Sequence, residues 1–386
     1  MNDIYMDHAA TTPVAQEVIK AMKSFYSEKF ANPASSHLPG QKSAAALENA
    51  REEVAELVGA KRAEEIVFTA GGTEADNLAL KGAAMALSNQ GKHIITTSVE
   101  HHAVLRSCEY LEKYLGFEIT YLNVDKNGLV DPQTLHNNIR GDTILISIMF
   151  ANNEIGSIQP IKKLAAVAKE NGILFHTDAV QAAGQLEIDV NDLGIDLLSL
   201  SAHKFNGPKG IGALFVRKGV ELIPQISGGS QERKRRAGTA NLAAAVGMGK
   251  AAEMAEKNLG KKRKELISLR DYFISQLRLN FKNLKINGPE PGSKLRLPAN
   301  INAAFKDLDA ETLLFNLSLN NIAAATGSAC ASGSLSVSHV LKAIELEQAY
   351  IKGSIRFSLG KGNTKEEIDY VVEKLKEIIS RLNSLK

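Results

Sequence analysis

Lys204 stands where the apolar run LLSLSA gives way to the glycine-rich turn HKFNGPKGIG. A lysine at the end of a core strand must reach for solvent, pair with an acid, or use its amine as a nucleophile, and burial lowers an amine's pKa in favour of the last. Other reactive side chains occupy comparable places. GGTEADN sets Gly71, Gly72 and Thr73 where a strand turns into a helix, so that backbone N–H groups, a hydroxyl and the helix dipole face one anion. Its spacing fits neither the P-loop lysine motif nor the dinucleotide fingerprint, and plain helix capping by Thr73 explains the segment equally well. Asp178, after the apolar residues of ILFHTD, needs a cationic or hydrogen-bonding partner to stay charged; a protonated ring nitrogen would serve, and an N-cap role is the plainer alternative. His101 in VEHHAV either starts a helix or lays its ring against a bound heterocycle.

These residues need a frame that brings them together. The runs EIVFTA, HIITTSV, EITYLNV, TILISIMFA, ILFHTDA, LLSLSA and ALFVRK predict strands, and the segments 73–88, 103–115, 131–139 and 160–170 predict helices between them. That alternation predicts an α/β fold around a mainly parallel, seven-stranded sheet. An Ala-, Lys- and Glu-rich helix over 241–283 leads away from it towards ANINAAF, an amphipathic run at 309–319, the strand SIRFSLG and a closing helix. The expected division is a large α/β domain at 13–258 and a smaller α+β domain made of 1–12 and 259–386. Ligands of such sheets gather at the carboxyl ends of the strands. Gly71–Thr73, His101, Asn152–Asn153, Asp178 with Gln181, and Ser201–Lys204 all fall there. A phosphate cradle, a carboxylate for a ring nitrogen and a Schiff-base lysine together describe a site for pyridoxal 5'-phosphate.

Composition narrows the alternatives. With 46 basic against 43 acidic residues the net charge is +3, and apart from QERKRRAG the basic residues are dispersed, which argues against a nucleic-acid-binding face. No apolar run reaches the roughly 18–20 residues of a membrane span. The N-terminus lacks a basic and an apolar leader region, and two cysteines, Cys108 and Cys330, cannot build a disulfide framework; both features predict a reducing, cytoplasmic setting. Cys108, in the helical VLRSCEYL, reads as a buried and inert hydrophobe. Cys330 lies in ATGSACASGSLS, a run of small residues that gives it few anchors and predicts a mobile loop.

In order along the chain, YMDHAATTP, NPASSH, EIVFTAGGTEADNLALKGAA, HIITTSVEHHAV, ANNEIG, HTDAVQAAG, SAHKFNGPKGIGALFVR, RAGTAN, TGSACASGS and SIRFSLG resemble the pyridoxal-phosphate-dependent cysteine desulfurases of the NifS and IscS type. The resemblance covers essentially the whole chain. It implies the aminotransferase type I fold, a homodimer with its active sites near the subunit interface, and conversion of L-cysteine to L-alanine with sulfur left on the enzyme as a persulfide. It further implies that Lys204 carries the cofactor, Asp178 pairs with the pyridine nitrogen, His101 stacks on the ring and shuttles protons, and Asn153 and Gln181 contact the ring's substituent oxygen. Gly72, Thr73, Ser201 and His203 would hold the phosphate, with Thr239 arriving from the partner subunit, and Ala202 would belong to the cofactor-binding set. Cys330 would be the persulfide cysteine, Arg356 would take the substrate carboxylate, and Asn32 would contribute at the active site. The implied recipients are an iron–sulfur scaffold of the IscU or NifU type, or another sulfur acceptor protein.

His8, where many relatives have asparagine or tyrosine, and Ala202, in place of a frequent glycine, depart from the family pattern without removing a group the reaction requires. Three rivals share the motifs: a selenocysteine lyase, another pyridoxal-phosphate β-lyase or aminotransferase, and a non-catalytic scaffold in sulfur trafficking. No metal site is read from the sequence, and the one metal role left open is the Cys330 sulfur as an iron–sulfur ligand.

Overall fold

A computed structural model describes residues 3–327 and 337–384. The strands, in chain order, are β1 (Ile4–Tyr5), β2 (Ile66–Thr69), β3 (His93–Thr97), β4 (Glu118–Leu122), β5 (Thr143–Ser147), β6 (Leu174–Asp178), β7 (Leu197–Ser201), β8 (Gly212–Val216), β9 (Leu284–Asn287), β10 (Asn300–Phe305), β11 (Ile322–Ala323) and β12 (Ser354–Ser358). Seven of them form the central sheet in the order β2-β8-β7-β6-β5-β3-β4. The pairs from β7 to β4 are parallel, whereas β8 runs antiparallel to both β7 and β2. All seven expected strands are present, and the sheet is mostly parallel as its helical crossovers require.

Alternation along these strands explains the layers. Phe68, Ile95, Ile146, Phe175 and Leu198 point into one apolar cluster, and Val67, Ile94, Leu145, Leu197 and Leu214 into another on the opposite face. The helices Gly72–Ala86 and His102–Leu115 cover the second face with Leu78, Ala79, Val104 and Leu111. Two helices outside the sequence expectation, Gln16–Lys23 and Leu38–Leu57, supply Val18, Met22, Leu47 and Val54 to the first.

A third cluster joins Ile4 and Met6 to Phe273, Ile301, Phe357 and Leu375 around the antiparallel sheet β12-β10-β9. The helix Leu242–Asn280 belongs to both halves: Ala244–Ala255 packs on the central sheet, Leu266–Leu277 on the small one. The chain start therefore lies with the C-terminal part while running across the carboxyl ends of β6 and β7. Among the described residues no helix is long and apolar enough to cross a membrane.

Candidate active site

A cavity of about 290 Å³ opens at the carboxyl ends of the parallel strands. It gathers Gly72 and Thr73 after β2, His101 after β3, Asn153 after β5, Asp178 and Gln181 from the end of β6, Ser201, His203 and Lys204 from the end of β7, and Arg356 from β12. The residues from Gly72 to Lys204 meet because consecutive parallel strands end on one side, whereas Arg356 is brought over the cavity by the separate small sheet.

Lys204 closes the single 3-10 turn Ala202–Lys204 that follows β7. Its Nζ donates to the carbonyl oxygens of Ala9 at 2.5 Å and Ala10 at 2.9 Å. The segment before and after those carbonyls is tied down by other bonds: Gln181 Nε2 donates to Ala9 O at 3.0 Å, and the Thr12 hydroxyl donates to His203 O at 2.8 Å. His203 Nδ1 lies 3.1 Å from the Thr11 hydroxyl. Burial, then Lys204 and Lys209, lower the His203 pKa to about 4, so at neutral pH its ring meets an anion as an uncharged hydrogen-bonding group.

Two carboxyls lie at the bottom. Asp178 is 6% exposed and Asp76, from the helix Gly72–Ala86, is 1% exposed. Ligand atoms of Asp76, His101 and Asp178 all lie within 4.8 Å of one another. Burial raises the pKa of both acids; the Asp178 charge raises that of Asp76 further, whereas neighbours hold that of Asp178 down. Asp178 has His101 and Lys204 to favour its charge and accepts the Val180 N–H at 2.9 Å. Among the described residues no charged cation pairs with Asp76: the nearby His176, bound to Ser147 at 2.8 Å and Ser199 at 3.0 Å, is kept neutral by burial, with its pKa lowered to about 3. The single negative charge this pair can keep therefore falls on Asp178, and Asp76 takes the proton. Glu100 is a further neutral carboxyl beneath the site; burial pushes it up to about 8 against bonds from Met149 N–H and the Thr97 hydroxyl, both 2.8 Å.

His101 starts a helix, the first of the two readings the sequence left open, and it also lines the cavity. Its Nδ1 accepts the Ala103 N–H at 3.2 Å as the N-cap of His102–Leu115, while the ring lines the cavity. Burial lowers its pKa, as do the nearby Lys204, His102 and His339, against the pull of Asp178. At Gly72 a Cβ would approach Val180 to 2.8 Å, so only glycine lets this backbone reach the cavity edge. Because Gly71 holds the N-cap position, the first turn carries no side-chain cap and presents its amides there. Arg356, 4% exposed, donates through Nη2 to Asp7 Oδ1 at 2.8 Å and through Nη1 to Asn153 O at 3.2 Å. Its buried Nε has no partner among the described residues.

Other expected site residues are placed elsewhere. Ala202 is fully buried behind the lining, and its N–H is spent on Ile211 O at 3.2 Å. Asn32 is exposed and bonds only locally, its Oδ1 accepting the Ala34 N–H at 2.9 Å. Thr239 lines a separate cavity of about 180 Å³ with Arg236 and Asn241. Cys330 lies outside the described residues, but Gly327 before it lines the active-site cavity, and Ser338 after it donates to the buried Glu154 at 2.6 Å. Cys108 is fully buried and burial pushes its thiol far up, as expected for an inert cysteine. Asp76, Asp7 and the Ala9–Ala10 carbonyls were not anticipated. Asp76 alone had a readable signal, since it falls one helical turn after Gly72 and Thr73 and so shares their face.

The residues present fit pyridoxal phosphate: a lone charged carboxylate for the pyridinium, an uncapped helix start for the phosphate, and an amine between them. The class-V aminotransferase family model matches residues 4–371, and that family is pyridoxal-phosphate-dependent. A NifS-like protein of known structure superposes with a TM-score of 0.91 at 38% identity, over 98% of this chain and 99% of its own. A second structure, described as SspA in complex with cysteine, superposes with a TM-score of 0.80 at 39% identity over 92% of this chain and 98% of its own. The cysteine desulfurase IscS of Dictyoglomus turgidum is 53% identical over 383 residues, 99% of this chain and 96% of its own. The chain belongs to the cysteine desulfurases of the class-V aminotransferase family.

Proposed function

We propose that the chain carries out the cysteine desulfurase reaction with the residues of this cavity and Cys330, as a homodimer in the reducing cytoplasm. In this reading 13–258 form the cofactor-binding unit, and 1–12 with 259–386 form the unit that closes over it. Lys204 would anchor pyridoxal phosphate, Asp178 would serve its ring nitrogen, His101 would stack on the ring, and Asn153 and Gln181 would serve the ring's substituent oxygen. Gly72, Thr73, Ser201 and His203 hold the phosphate, joined by Thr239 of a second copy. When bound, that cofactor supplies an electron sink that acidifies the Cα–H of an amino acid.

The protein's own groups do the rest. Arg356 receives the substrate carboxylate through its planar fork, in competition with Asp7. The Lys204 amine, beside the Ala9 and Ala10 carbonyls, moves the proton at Cα. His101 is neutral near pH 7 and takes the thiol proton of the substrate. The Cys330 thiolate then attacks the substrate sulfur: the new S–S bond forms as the Cβ–S bond breaks, its electron pair returns to the carbon skeleton, and protonation there gives alanine. One cysteine plus the enzyme thiol thus become one alanine plus the enzyme persulfide, with no external oxidant. The persulfide then passes its outer sulfur to an acceptor, an IscU- or NifU-like scaffold being the recipient the family suggests.

The observation that carries this reading is that Asp178, whose charge Lys204 and His101 favour, shares one cavity with Lys204 and Arg356, and that Gly327, three residues before Cys330, lines the same cavity. The test is to supply L-cysteine to purified holoprotein and assay alanine, pyruvate and sulfide in one tube. Alanine equal to sulfide, with no pyruvate, is expected with dithiothreitol present, and Cys330→Ala should abolish alanine formation without external thiol. Pyruvate as the product, or alanine at the wild-type rate from Cys330→Ala, would contradict the assignment.

A further inference from the structure

Glu232 (φ 43°, ψ 41°), Arg233 (φ 54°, ψ 41°) and Lys234 (φ 67°) adopt left-handed backbone one after another, and none is glycine. L-residues disfavour that region, and a run of three persists only where its surroundings impose it. The imposing contact starts at Glu232. Its Oε2 accepts from Arg51 Nη1 at 2.6 Å and from the Phe68 N–H at 2.9 Å, and its Oε1 accepts from Arg51 Nη2 at 2.9 Å. Arg51 is itself locked: its side chain is 2% exposed, it donates to Ile66 O at 2.7 Å and to Glu48 at 3.1 Å, and its guanidinium lies 4.8 Å from the Phe68 ring centre. Further along, Arg236 donates to Glu74 at 2.8 Å, in the first turn of the helix that borders the cofactor cavity, and Gln231 Oε1 accepts the Gly238 N–H at 3.2 Å to close the loop. The product of these bonds is an exposed Thr239 that does not line its own chain's active-site cavity. A buried ion pair contributes little to net stability, and its attested use is to select one conformation.

We propose that the Arg51–Glu232 clasp is a positioning device that acts across the dimer: it cocks the Gln231–Thr239 loop so that Thr239 reaches the phosphate of pyridoxal phosphate in the second copy of the chain. Neither clasp residue touches cofactor or substrate. The inference rests on the reading, given above, that Thr239 serves the partner's site. It also assigns a purpose to a loop whose basic residues exceed what one phosphate needs. Arg233 is exposed and pairs with Glu48 at 3.3 Å, Arg236 with Glu74, and Arg51 draws the loop's one acid inward.

The test separates a defect that travels to the other subunit from one that stays. Retention of pyridoxal phosphate on dialysis is measured for Glu232→Gln and Thr239→Ala homodimers, both of which should release it at least tenfold faster than wild type. Each variant chain is then paired with a Lys204→Ala chain, so that the dimer has one lysine-bearing site. In the Glu232→Gln/Lys204→Ala dimer that site receives Thr239 from an unaltered loop, and wild-type retention should return. In a dimer of wild type with a chain carrying both Lys204→Ala and Glu232→Gln, the lysine-bearing site should lose cofactor as fast as the Glu232→Gln homodimer. A defect that stays with the altered chain's own site, or Glu232→Gln retention equal to wild type, overturns the clasp. A Thr239→Ala homodimer that retains cofactor normally overturns the underlying reading instead. Should Glu232→Gln fail to fold, Arg51→Lys, which keeps the charge and loses the fork, enters the same exchange with the same two outcomes.

Discussion

The floor and the roof of the active-site cavity are built by opposite means. The floor consists of side chains at the ends of β2, β3, β6 and β7 and of Asp76 from the helix Gly72–Ala86, around a sheet sealed on both faces, so Asp178, Asp76, His101 and Glu100 titrate in a dry environment. The roof consists of chain from far outside that sheet: backbone carbonyls of Ala9 and Ala10, and an Arg356–Asp7 pair in which Asp7 is 18% exposed. The floor sets electronics, because burial decides which group carries charge. In the proposed reading the roof sets recognition, because Arg356 is held by exchangeable partners, Asp7 and Asn153 O, with its Nε left over, and a substrate carboxylate would replace them. A dry floor with a single charged acid and a wetter roof with replaceable bonds divide cofactor chemistry from substrate binding.

The sharpest way to break that division is to compare the two floor acids. On the proposed assignment Asp178→Asn removes the charge that would face the ring nitrogen, and the loss of a buried charge partner is worth about 3–5 kcal/mol, so kcat/KM should fall at least ~10²-fold. Asp76→Asn replaces a protonated carboxyl with a neutral group of the same shape and should change kcat/KM by less than about tenfold. Equal losses in the two variants, read by steady-state alanine formation, would mean the charge is not confined to Asp178. At the roof, Arg356→Lys keeps the cation and loses the fork; hydrogen bonds to charged groups are worth about 1.5–3 kcal/mol, so KM for cysteine should rise about 10- to 100-fold with kcat changed far less. A fall in kcat at constant KM would move Arg356 from recognition to chemistry. Smaller still is a stability effect confined to the floor. The native Glu100 pKa of about 8 stands above the 4.5 of an ordinary glutamate, so Glu100 holds a proton that the unfolded chain has lost between those values. Its contribution to stability is complete below about pH 4.5 and is lost as pH rises through about 8, at up to about 1.4 kcal/mol per pH unit. The melting temperature of wild type relative to Glu100→Gln should therefore decline steadily from pH 5 to pH 8, whereas parallel curves would place Glu100 in a wetter site.

The same contrast decides what was legible before the structure. The floor announces itself: β-branched runs end in Asp178, Ser201 and Lys204, and the rule that parallel strands deliver ligands at their carboxyl ends collects His101 and Asn153 as well. The strand directions were less readable. β8 turns antiparallel after the glycine-rich turn, and a run such as GALFV has the same appearance either way. Leu38–Leu57 is a helix the sequence reading did not include: Pro39 and Gly40 stand in its first turn, where Pro is favoured, and His37 caps it by accepting the Gly40 N–H at 3.1 Å. The roof was invisible for a stronger reason. Carbonyls of two alanines carry no sequence signal, and nothing in DHAATTP says it crosses Lys204 rather than extends β1. Thr239 and Asn32 mark the same limit in a different way, since neither lines the cavity of its own chain and the proposed role of Thr239 in a second copy cannot be read from the fold of one chain.

The most direct test of the account is to reduce purified holoprotein with borohydride, which fixes pyridoxal phosphate to the lysine that holds it, and to map the modified peptide. The account predicts one modified site per chain, at Lys204, with the label lost in Lys204→Arg and the visible absorbance lost with it. A label on any other lysine, or a protein that takes up no pyridoxal phosphate when supplied with it, would contradict the assignment of this cavity.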